Sequence, residues 1–222
     1  MAAQELEDTY YTDRRPNPVT VHSIGHTHID VAWKWPLRQT RQKAVRSFET
    51  VLNLMDRYPE YRFMSSQPQL YEFVKEDAPG VFARIRERIK EGRWEAEGAM
   101  WLEPDCNISS GESLIRHIIY GRRFFEQELG AEKNEVLWLP DVFGYSAALP
   151  QILQKSGIPY FMTTKIGWNE FNRFPHDTFL WKGIDGTEVL THLITTRNYQ
   201  KPGDLKMVGN HSTTYNGLQN AS

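Results

Sequence analysis

Cysteine is almost missing from this sequence: Cys106 is the only one, so the chain can form neither an internal disulfide nor a multi-cysteine zinc site. No apolar run is long enough to span a bilayer, and no basic segment followed by an apolar one opens the chain. Charge of one sign is not in excess either. Lys and Arg number 26 against 28 Asp and Glu, which points to no nucleic acid and no anionic membrane as partner. Internal repeats are lacking. Together these absences make the cytoplasm the expected compartment, and the glycosylation-type triplets at Asn107, Asn210 and Asn220 are then read as chance.

What is present describes a folded protein. A length of 222 residues allows one domain, or one plus a fragment, with a sizeable core. Residues 1–18 are polar and end in Pro16 and Pro18, an expected N-terminal arm. From residue 19 to about 202, strand-like and helix-like stretches alternate. Val19–Ile24 reads as a first strand. Ala44, Val45, Phe48, Val51, Leu52, Met55 and Tyr58 recur at helical spacing, and Pro59 closes that helix. Further strands are expected at Tyr61–Gln67, Trp94–Trp101, Val136–Leu139 and Tyr160–Thr164. Helices lie between them, one opened by a capping box of Ser109 and Glu112. Asp185-Gly186, between Phe179–Ile184 and Val189–Ile194, signals a hairpin. Residues 203–222 are rich in Gly, Asn, Thr and Ser and read as a polar tail at a truncation. The alternation predicts an α/β fold with a parallel sheet and helices outside it.

In such a fold the loops at the carboxyl ends of the strands carry the site. The stretch Gly25-His26-Thr27-His28-Ile29-Asp30 follows strand one, and in an extended chain His26, His28 and Asp30 share a side. Nitrogen and oxygen donors with a position left open suit a borderline cation such as Zn²⁺. Of the three, His26 is expected to stand behind the ligands. A packed core histidine is the plainer alternative. Glu103 and Asp105 follow strand three and could orient a metal-bound histidine or merely cap the next helix. Asp141 follows strand four, where Pro140 fixes the backbone before it; a turn or N-cap aspartate is the bland reading. Trp33, Trp35, Trp101, Phe143, Tyr145 and Trp168 crowd the same loops. Flat rings beside carboxylates suit a pyranose, although about half of them are expected to serve ordinary packing. Cys106 reads as a small buried residue, not a nucleophile.

Three stretches then resemble the α-mannosidases of glycoside hydrolase family 38, in order and at family-like separations: His26-Thr27-His28-Ile29-Asp30-Val31-Ala32-Trp33, Trp101-Leu102-Glu103-Pro104-Asp105 and Trp138-Leu139-Pro140-Asp141-Val142-Phe143-Gly144-Tyr145-Ser146. Ser65–Tyr71 and Ile184–Thr187 look like the bacterial cytoplasmic branch. The resemblance implies a (β/α)7-like barrel, incomplete in this chain, and a zinc-dependent retaining exo-mannosidase acting on mannose-containing oligosaccharides. It implies His28, Asp30 and Asp141 as zinc ligands and Asp141 also as catalytic nucleophile. Trp33 and Phe143 would line the mannose subsite, and Asp105 would support it. The acid/base aspartate and one more histidine ligand are expected beyond residue 222, so the chain reads as an N-terminal piece that is inactive alone. Homo-oligomerisation is compatible with the sequence but not specified by it. Two other readings stay open: a metal-dependent amide or phosphoester hydrolase with Asp141 as base or bridging ligand, and a non-catalytic sugar-binding fragment.

Overall fold

The computed structural model describes residues 25–194 except 132, 169, 170 and 173. The expected arm, the expected strand at Val19–Ile24 and the polar tail lie outside them. Gly25–His26 (β1) pairs in parallel with Phe63–Ser65 (β2), and β2 with Trp94–Ala96 (β3). Val136–Leu139 (β4), Tyr160–Thr163 (β5) and Glu188–Leu193 (β7) form a second parallel run, edged by Thr178–Lys182 (β6) antiparallel to β7. The hairpin is the one expected at Asp185-Gly186. Its Asp185 Oδ1 accepts from Thr187 N–H, and Lys182 faces Glu188 across the turn. Among the described residues the strands thus make two sheets, not one continuous barrel wall.

The helices follow the apolar spacing. Leu37–Arg57 (α1) buries Ala44, Phe48, Val51, Leu52 and Met55 and ends before Tyr58, whose extended backbone leaves its ring half exposed. Pro68–Asp77 (α2) and Pro79–Lys90 (α3) each begin on proline, which has no N–H to leave unpaired in a first turn. Gly111–Leu129 (α4) is capped by Ser110, whose Oγ accepts from Ser113 N–H, so the expected Ser109/Glu112 box is displaced by one residue. Leu149–Lys155 (α5) is short. None of these helices is long and apolar enough to cross a membrane.

Strand three, Trp94–Ala96, is shorter than the expected Trp94–Trp101. Gly98 and Ala99 take positive φ angles of 138° and 63° and turn the chain at Ala96. A Cβ on Gly121 of α4 would meet Ala99 O at 2.3 Å, so that glycine lets the helix lie against the turn. Two apolar clusters result. One centres on Trp94, in contact with Phe48, Phe63 and Tyr71, with its Nε1–H donated to Tyr71 Oη and Tyr71 donating in turn to Ser65 O. The other packs Leu137, Leu139, Phe161 and Val189 beneath α4 and α5.

Where the two sheets meet, the ladder is replaced by side chains. Glu97 accepts from Gly98 N–H and Val136 N–H, both at 3.2 Å, and Asn134 Oδ1 accepts from Ala99 N–H. Burial, reinforced by the charges of Glu95 and Glu135, outweighs those two backbone bonds and pushes the Glu97 carboxyl up to about 7. The folded state therefore holds a proton that the unfolded chain gives up near 4.5. This contribution to stability is complete below about 4.5 and is lost as pH rises through about 7. Thermal melts of the wild type and Glu97→Gln should accordingly converge at pH 5 and separate at pH 8, with the variant higher. A constant offset across that range would show that Glu97 is charged in the fold.

Candidate active site

Four loops, after β1, β3, β4 and β5, bring charged side chains to the same carboxyl-terminal edge. His28 is the hub, with a side chain only 4% exposed. Its Nε2 lies 3.2 Å from Asp30 Oδ1 and 3.4 Å from Asp141 Oδ2, and its Nδ1 lies 3.1 Å from Glu103 Oε1. Burial opposes a charge on the ring more than any other single influence. The bond to Glu103 and the charges of Glu103, Asp141 and Asp30 together overcome it and raise the ring to about 9. Three carboxylates around one imidazole make a pocket that seeks a cation.

His28, Asp30 and Asp141 each offer one donor atom, all within 4.8 Å of one another. Ligands about 2.1 Å from a tetrahedral ion stand about 3.4 Å apart, close to the separations around Nε2. Glu103 on Nδ1 leaves Nε2 as the ligating nitrogen, the usual arrangement behind a zinc-bound histidine. The donor set therefore fits a zinc-type ion. His26 stands outside it, as expected. Its Nδ1 is 3.1 Å from Met64 O, its ring packs on Trp138, and burial lowers its pKa to about 4, keeping it neutral.

Glu103 joins two loops, because its Oε2 also accepts from Asp141 N–H at 3.1 Å. Its own N–H donates to Gln67 Oε1, and Gln67 Nε2–H donates to Ile29 O, which ties the β2 end to the β1 loop. Asp105, by contrast, is exposed and uses Oδ1 to accept from Asn107 and Ile108 N–H. Of the two roles weighed for this acidic pair, Glu103 takes the one behind histidine; neither acid caps the next helix, whose cap is Ser110, and Asp105 closes a turn before it while still lining the cleft.

That cleft has a volume of about 180 Å³ and is lined by His28, Asp30, Gln67, Glu103, Asp141 and Phe143, among others. Phe143 is 76% exposed on its wall. Trp33, 66% exposed, is not part of the lining. It packs edge-on against Trp35 with Lys34 over its ring. Trp101 and Tyr145 serve the scaffold: Trp101 Nε1–H donates to Gln69, and the Tyr145 hydroxyl lies between Leu139 O, Val142 O and Thr163 Oγ1. Cys106 is buried, and burial pushes its thiol up to about 12, which removes it as a nucleophile at neutral pH.

Sequence reading missed Gln67 and Lys165. Lys165 opens a 3₁₀ turn, Lys165–Trp168, and sets its Nζ 2.8 Å from Asp141 Oδ1. The signal was available, since Lys165 is the first charged residue past the end of a parallel strand.

A family model described as Glycosyl hydrolases family 38 N-terminal domain matches residues 18–222. The chain is 46% identical over 188 residues to Alpha-mannosidase G of Dictyostelium discoideum, covering 85% of this chain and 17% of that protein. It is 46% identical over 189 residues to Alpha-mannosidase 2C1 of Homo sapiens, covering 85% of this chain and 18% of that one. It thus spans about a sixth of the length of these curated relatives. A solved alpha-mannosidase from Enterococcus faecalis V583 shares the fold at a TM-score of 0.68, with 19% identity over 86% of this chain and 22% of that chain. The leaning toward bacterial members read from Ser65–Tyr71 and Ile184–Thr187 is not what these identities favour, as both 46% relatives are eukaryotic.

Proposed function

The chain belongs to glycosyl hydrolase family 38, and on that premise we propose that it carries the metal-holding part of an α-mannosidase site. In this reading the site, set in a (β/α)7-like barrel, acts on terminal α-linked mannose of oligosaccharides with retention of configuration. His28, Asp30 and Asp141 hold a zinc ion, and Asp141 is also the nucleophile. The observation that carries the reading is the convergence of those three donors at one strand-end cleft. Bound zinc would supply Lewis-acid binding of the sugar's oxygens.

Everything else is done by side chains. An Asp141 carboxylate oxygen bonds to the anomeric carbon as the glycosidic C–O bond breaks, and the leaving oxygen takes a proton from an acid carboxyl. Water, deprotonated by that same carboxyl, then releases the sugar from the Asp141 ester. We assign no residue of this chain to the acid/base role. In this reading it comes, with a further histidine ligand, from later in the catalytic domain. Phe143 would pack on the apolar face of the pyranose, with Trp33 at the rim and Asp105 on the wall.

Zinc binding is the direct test. At a hundredfold excess over Kd, zinc should stabilise the 222-residue chain by about 2.7 kcal/mol, seen as a raised melting midpoint, and His28→Ala should abolish the rise. The chain alone should release no mannose. A polypeptide of the relatives' length carrying this segment should cleave an aryl α-mannoside. No calorimetric response at millimolar zinc, or release of phosphate from an aryl phosphate in place of mannose, would sink the reading.

A further inference from the structure

Lys165 has no part in the donor set, yet among the described residues it makes the closest side-chain approach to Asp141 of any charged group, 2.8 Å from Nζ to Oδ1. Oδ1 has no access to solvent, whereas the Asp141 side chain as a whole is 24% exposed and its Oδ2 lies on the His28 side. The lysine is itself confined: its side chain is 17% exposed and its ammonium sits 3.5 Å over the Trp168 ring. Both residues belong to one 3₁₀ turn, so the ammonium is anchored at the stem by the backbone and at the tip by the indole.

The geometry points to Lys165 as a positioning residue for Asp141: it engages Oδ1 and fixes the rotation of the carboxylate, so that Oδ2 keeps to the His28 side and the two oxygens do not exchange places. An aspartate free to rotate offers either oxygen and spends part of its time with neither aimed at the reacting carbon. Holding a reacting group in one geometry acts on the barrier and not on ground-state binding. The inference rests on Asp141 being the nucleophile, as proposed above.

Lys165→Met keeps the length and apolar stem and removes the ammonium. In a polypeptide of the relatives' length, kcat for an aryl α-mannoside should fall about a hundredfold while KM moves less than about threefold, the pattern of a lost transition-state interaction. Lys165→Arg, which keeps a charged donor, should recover most of the loss. In the 222-residue chain, zinc affinity of Lys165→Met should be no weaker than wild type, since a cation beside the ion's site has been removed. Four results overturn the inference: unchanged kcat, a loss confined to KM, an arginine variant as slow as the methionine one, or weakened zinc binding, which would make Lys165 a builder of the metal site. If the wild type is itself inactive or binds no zinc, the reading of the site fails before this inference is reached.

Discussion

Replacing Asp141 by asparagine is expected to lower mannoside turnover by a factor on the order of 10⁴–10⁶, the scale seen when a nucleophile that works as part of a unit is removed. The amide cannot form the glycosyl ester, and it withdraws one of three anionic neighbours from His28. The backbone contact from Asp141 N–H to Glu103 does not depend on the side chain, so the loop should keep its place. The expected phenotype is therefore a folded polypeptide that binds mannoside, binds zinc less tightly and barely turns over. A decline of only about tenfold, small against that scale, would take the nucleophile's role from Asp141.

The second large effect concerns the residue behind the histidine. Glu103→Gln removes the charge beside His28 Nδ1 while keeping an oxygen of the same reach. Loss of such an outer partner typically costs 10–100-fold in metal affinity, about 1.4–2.7 kcal/mol. Asp105→Asn, two residues on, retains an Oδ1 for its turn and should alter affinity by less than about threefold. Competition titrations with a chromogenic zinc chelator on both variants separate the two acids. Equal losses would mean that the whole loop, and not Glu103, supports His28.

The site was only partly legible in the sequence. His28, Asp30 and Asp141 stand out because each follows a strand end in a fold whose loops meet at one edge. Glu103 and Asp105 look alike in one dimension: both are acids after strand three, and only their contacts distinguish them. Trp101 and Tyr145 look as available as Phe143, yet each spends its polar atom on the scaffold. The length of strand three was misjudged because the positive φ values at Gly98 and Ala99, which turn the chain after Ala96, leave no mark in hydropathy.

The sequence by itself determined the helical faces, the β6–β7 turn, the family-like motifs and the donor types at the strand ends. These are local properties, written in spacings of two and of three to four residues. Only the tertiary structure decided that Glu103 reaches both His28 and Asp141, that His26 turns to Met64, and that Lys165 closes one face of the nucleophile. Those contacts join loops that are distant along the chain. Which side chain meets which depends on how the crossovers aim the strand ends, and that has no period in the sequence to read.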